Sequence, residues 1–81
     1  MKHETLTHIK SFQSGAVIHL QEVYSYIYKH FPEKCDDLGF MGQQRVEPRW
    51  RNEVRQAFHL AEYQRLIVHL GEGKTEEYKR L

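Results

Sequence analysis

The chain has 81 residues, 40% of them apolar and ten of them aromatic, which suffices for one domain whose small core folds without a metal or cross-link. A formal net charge of +1 excludes whole-molecule electrostatics as a source of strong nonspecific attraction to polyanions, so any such attraction must be local. The lone Cys35 excludes an internal disulfide and fits a reducing cytoplasm, no stretch approaches the roughly 20 apolar residues of a membrane span, and the polar opening Met1-Lys2-His3-Glu4 is not that of a signal peptide.

Leu6, Ile9 and Phe12 recur every third residue, with Thr5, Thr7, His8 and Lys10 filling the other side. That spacing predicts a short amphipathic helix ending near Gln13-Ser14-Gly15. Ala16-Val17-Ile18 is too short an apolar run for a helix and reads as a small strand or extended connector. A second helix is expected from about Leu20 to His30, with Leu20, Val23, Tyr24, Ile27 and Phe31 on one face. Pro32 stops it, because the residue before a proline avoids helical geometry. Tyr24, Tyr26 and Tyr28 raise the idea of a stacking platform for single strands. The periodicity argues against it: Tyr24 falls on the buried stripe while Tyr26 and Tyr28 point elsewhere, so the three share no surface, and Tyr26 or Tyr28 is left for a partner such as a second subunit.

Glu33 to Glu47 holds Asp36-Asp37, Gly39, Gly42 and Gln43-Gln44 without a clean period. It reads as a loop of about 15 residues with room for one short turn of helix, a length at which loops are usually functional or mobile. Leu38, Phe40 and Met41 are expected to pin part of it to the core, and Cys35 to be an inert loop thiol.

The third helix is the most informative element. Pro48 sits at its first turn, where the missing N–H is harmless, and it runs to about Tyr63. At about 100° per residue, Trp50, Val54, Ala57, Phe58 and Ala61 form one apolar stripe, while Arg49, Arg51, Asn52, Arg55, Gln56 and His59 fan across the other side. Guanidiniums beside carboxamides suit guanine and adenine edges in a major groove, and the remaining basic groups suit phosphates. All six arginines (Arg45, Arg49, Arg51, Arg55, Arg65 and Arg80) follow residue 44, and four lie within eleven positions. Residues 1–40 hold four Lys/Arg against five Asp/Glu, and residues 41–81 hold eight against six, so the basic excess lies with this helix. The plainer account is a solvated face whose Arg49/Glu53 and Arg55/Glu62 pairs only decorate the surface.

Leu66-Ile67-Val68-His69-Leu70, the turn Gly71-Glu72-Gly73-Lys74-Thr75 and the alternating Glu76–Leu81 read as a hairpin. The order helix, strand, helix, helix, strand, turn, strand predicts one α+β domain over residues 1–81. Three helices would pack on a small antiparallel sheet with a C-terminal β-hairpin wing, a winged helix-turn-helix.

At this point the chain resembles the winged-helix module found at the N-terminus of Mrr-type restriction endonucleases and in related stand-alone DNA-binding proteins, over about residues 4–81. The resemblance is carried by Pro48-Arg49-Trp50-Arg51-Asn52-Glu53-Val54-Arg55-Gln56-Ala57, similar to the family's tryptophan-centred recognition helix, and by Leu66-Ile67, Gly73, Tyr78 and Leu81 around the wing. It implies that Trp50 and Val54 anchor the helix, that Arg49, Arg51, Asn52 and Arg55 lie near DNA, that Lys74 and Thr75 are wing contacts, and that the setting is restriction-modification or transcription regulation. The family commonly has a glycine before the Leu-Ile pair. Here Gln64-Arg65 stand instead, so the helix end needs a different cap. The catalytic domain of the endonucleases is not among these 81 residues.

His3, His8, His19, His30, His59 and His69 include no i, i+4 pair and there is no cysteine pair, so zinc spacing is missing and no cofactor is expected. Cys35 beside Asp36-Asp37 is a poor nucleophile, and Gly71-Glu72-Gly73-Lys74 is too short for a P-loop. No convergent acid, base and nucleophile are present, so an enzyme is not expected. The expected function is therefore binding of double-stranded DNA. Arg51, Asn52 and Arg55 would meet bases beside Gln56 and His59, Arg45, Arg49 and Lys74 would meet phosphates, and Thr75 would lie in the wing. A homodimer would read two half-sites about one DNA turn apart. The alternative is an adaptor whose arginines meet acidic residues of a protein partner.

Overall fold

Two helices that read as amphipathic in the sequence form over nearly the expected residues. The computed structural model describes residues 1–41, 47–71, 73 and 75–81. Helix α1 spans Lys2–Lys10 and buries Thr5 and Ile9, with Leu6 and Phe12 packed partly against the core. Thr5 belongs inside despite its hydroxyl, which donates to the Met1 carbonyl at 2.7 Å and is thereby satisfied. Strand β1 is Val17–His19, and α2 is Leu20–His30 with Leu20, Val23, Tyr24 and Ile27 buried.

The expected loop after Pro32 is corrected. A further helix, α3, spans Pro32–Leu38, so the described residues form four helices instead of the expected three. Pro32 ends α2 and at the same time occupies the first turn of α3, where a fixed φ favours helix and no N–H is needed. Cys35, 1% exposed, and half-buried Leu38 hold this short helix to the core. Cys35 is thus a buried helix residue and not a loop thiol; burial, then the neighbouring Asp36 charge, push its pKa up. Gly39 follows at φ +70°, a region open to glycine at little cost, and its carbonyl accepts from the Arg49 N–H at 2.9 Å. The two-residue strands β2 (Phe40–Met41) and β3 (Glu47–Pro48) pair antiparallel, Phe40 opposite Pro48.

Helix α4 spans Arg49–Tyr63 and buries all five residues of the expected stripe: Trp50, Val54, Ala57, Phe58 and Ala61. Strands β4 (Ile67–His69) and β5 (Glu77–Arg80) form the expected hairpin, and β1 joins β5 to give an antiparallel sheet ordered β1-β5-β4. The row Ile18–Tyr78–His69 faces the same way as Ile67 and meets the helices, whereas Val17–Lys79–Val68 faces out. Phe58 joins helix to sheet: its ring lies 4.8 Å from Tyr78, edge to face. Among the described residues no helix is long and apolar enough to cross a membrane.

The missing glycine at the end of α4 is answered by strain. The N–H of Leu66 donates to the Ala61 carbonyl (2.9 Å) and that of Arg65 to the Glu62 carbonyl (3.0 Å), the paired bonds of a Schellman cap. This cap needs a left-handed residue, and Arg65 supplies it at φ +60°. A side chain in that region costs roughly 1 kcal/mol relative to glycine. Arg65→Gly should therefore raise stability by about 1 kcal/mol, or about 4–8 °C in a thermal melt followed by circular dichroism; an unchanged or lower Tm would show that the turn is held by the arginine side chain.

Candidate nucleic-acid interface

The candidate interface lies on α4, whose inward apolar stripe leaves the polar flank outside. Arg49, Arg51, Gln56 and His59 are exposed, while Asn52 and Arg55 are half-buried. Glu53, expected to face Arg49, instead meets the amino group of Met1 at 2.5 Å. Among the described residues the flank's carboxylate contacts are Arg55 to Glu47 and His59 Nδ1 to Glu62, the latter 4.0 Å apart. Arg45 and Lys74, expected on phosphates, lie outside the described residues.

Arg55 does not stand free. Its guanidinium grips both carboxylate oxygens of Glu47 in a fork, the Nη2–Oε2 bond measuring 2.9 Å, and also donates to Tyr24 Oη and Asn52 Oδ1 at 3.3 Å each. Hydrogen bonding from Arg55 holds the Glu47 carboxyl below the usual carboxylate range, and the same bonds push the Arg55 pKa up. The expectation that Arg55 meets a base is therefore revised: its Nη1 and Nη2 groups are engaged inside the chain, where they tie β3 to α4 and α2. Because the Glu47 pKa is lowered in the folded state, its stabilising effect is complete above the ordinary value of 4.5 and is lost as pH falls through the lower folded value. Glu47→Gln should melt lower than wild type by an amount that is constant at neutral pH and shrinks below about pH 4.5. The neutral-pH difference should be on the order of 1 kcal/mol, since the pair is partly solvated. A difference that does not narrow in acid would show that the charge pair is not its origin.

Thr75, expected in the wing, has its hydroxyl engaged within the turn. It donates to the Leu70 carbonyl and lies 3.0 Å from His69 Nε2, which also lies 2.6 Å from the Thr75 carbonyl. This residue shapes the turn and leaves no free side-chain donor for a phosphate.

Beside the first turn of α4 lies a groove that the residue pattern did not reveal. It has a volume of about 740 Å³ and is walled by Tyr24 and Tyr28 of α2, Phe40 of β2, and Pro48 and Trp50. Lys29, Arg51 and Asp36 supply its charged lining. Trp50 stands edge-on to Tyr24 and tilted 33° to Tyr28, each at 5.7 Å between ring centres. The Arg51 guanidinium lies 5.1 Å from the Tyr24 ring centre and 5.5 Å from that of Trp50. Asp36 accepts from Tyr28 Oη at 3.3 Å. The separation expected for the three tyrosines is thus half corrected. Tyr24 and Tyr28, an i, i+4 pair, do share a surface, whereas Tyr26 turns away and stacks on His8 at 3.6 Å. The i, i+4 spacing was the available signal for the tyrosines; Phe40, expected to pin the segment to the core, is instead 50% exposed on the groove wall, because its position depends on how the chain folds back after α3.

Set against known proteins, the chain matches no family model, no curated protein and no solved structure.

Proposed function

We propose that this chain is a winged helix-turn-helix module, of the kind it resembles in sequence, that binds double-stranded DNA with α4 in the major groove and the 71–75 turn along the flanking backbone. The observation that carries this reading is the outer flank of α4, where Arg49, Arg51, Gln56 and His59 are exposed and Arg49 and Arg51 have no carboxylate partner among the described residues. The element order and the hairpin that follows α4 support it, as does the width of a major groove, which admits one helix. In this reading Arg49 and Arg51 meet phosphate or a guanine edge, Asn52 and Gln56 offer carboxamides to adenine, and Arg55 is a positioning residue that orients Asn52. The outlying Arg45 and Lys74 remain candidate phosphate contacts. The test is a fluorescence-anisotropy titration of a 20-bp duplex over a salt series. About four or five neutralised phosphates correspond to a slope of log affinity on log salt of roughly −4. No binding at 50 mM salt would remove the reading.

The internal neutralisation of Arg55 by Glu47, together with the small net charge, favours a second reading in which the same face docks an acidic protein partner as an adaptor. A complex that survives nuclease treatment and is lost on Arg49→Glu, with no affinity for duplex, would select it.

A further inference from the structure

We infer that the groove between α2, β2 and the start of α4 receives one unpaired nucleobase of the bound DNA. The inference rests on the DNA reading of α4 and adds a single-base subsite to it. The groove offers aromatic faces rather than a bare apolar wall: Tyr28 and Phe40 are 46% and 50% exposed, and Trp50 closes the floor. Every base has a π-face, so such walls accept any base by stacking. The guanidinium of Arg51, already held against Tyr24 and Trp50, extends the stacking surface and places a positive charge at the rim.

Charge selects this occupant over others. Among the described lining residues Lys29 and Arg51 oppose one carboxylate, that of Asp36, which is itself engaged by Tyr28, so this described lining is net positive. A methylated ammonium group, the usual guest of an aromatic cage, would meet repulsion there, whereas a nucleotide brings a planar ring and an anionic phosphate together. Location argues the same way. Trp50 and Arg51 belong to the first turn of the helix proposed to enter the duplex, so a base leaving the stack beside that turn need not travel far.

The test compares three 20-bp duplexes by anisotropy and by the fluorescence of Trp50, the only tryptophan. One is fully paired, one carries a central unpaired thymidine, and one carries an abasic unit at the same place. The thymidine duplex should bind about tenfold more tightly than the other two and quench Trp50, the gain that one stacked base provides. Phe40→Ala and Tyr28→Ala, both changes at exposed side chains, should each remove that gain and leave the paired and abasic duplexes unchanged. Equal affinity for the thymidine and abasic duplexes, or a gain that survives both variants, overturns the inference while the paired-duplex affinity keeps the DNA reading intact. Absence of binding to all three removes the DNA reading itself. Self-association abolished by Phe40→Ala in sedimentation would assign the groove to a second copy and overturn the inference as well.

Discussion

Replacing Arg49 and Arg51 together by alanine is expected to weaken duplex binding about 50-fold at 0.1 M salt and to make the salt slope shallower by about 2. Each phosphate neutralised releases close to one counterion, so each contributes a factor of about 8 in affinity at 0.1 M relative to 1 M salt, and two contacts multiply. The fold should tolerate the change, because both side chains are exposed and neither is held in an ion pair among the described residues. The check is a parallel anisotropy series for wild type and variant, with circular dichroism confirming equal helix content. Loss of affinity with an unchanged slope would mean that the arginines read base edges rather than phosphate. No loss at all would leave the exposed flank of α4 without a role in DNA binding. Arg55→Ala supplies the contrast. Its Nη1 and Nη2 groups are already engaged by Glu47, Tyr24 and Asn52, so its effect should fall mainly on stability and leave the salt slope nearly unchanged.

Phe58→Ala is expected to remove a large share of the domain's folding stability. The side chain is 1% exposed and its ring meets Tyr78 of β5, so truncation removes buried apolar surface and also opens a cavity between α4 and the sheet. The cost should be about 3–5 kcal/mol, against a total of about 5–15 kcal/mol for a small domain. An exposed position on the same helix, Gln56→Ala, should change stability by less than about 0.5 kcal/mol. Urea unfolding of the three proteins measures both differences. A loss below about 1 kcal/mol for Phe58→Ala would show that the helix and sheet do not share one core.

These two expectations draw on different sources. The apolar stripe of α4 could be read from spacing alone, because a 15-residue helix repeats its period often enough to make the buried face unambiguous. Leu66 to Leu81 was equally clear, since β-branched residues around a glycine-rich turn leave few options other than a hairpin. The segment after Pro32 was not. Seven residues of helix hold too few periods to stand out, and Asp36-Asp37 hides the two anchors, Cys35 and Leu38, that bind it to the core.

The sequence by itself determined the α+β class, the buried side of each long helix, the hairpin and the polar flank that α4 turns outward, because all of these follow from local periodicity and turn chemistry. Only the tertiary structure decided which of the flank's groups remain available. Glu47 reaches Arg55 because β3 runs straight into α4, and Tyr24, Tyr28, Phe40 and Trp50 meet because α3 folds the chain back across α2. Ion pairs and grooves depend on how elements are brought together in space, and a local pattern of residue types carries no record of that.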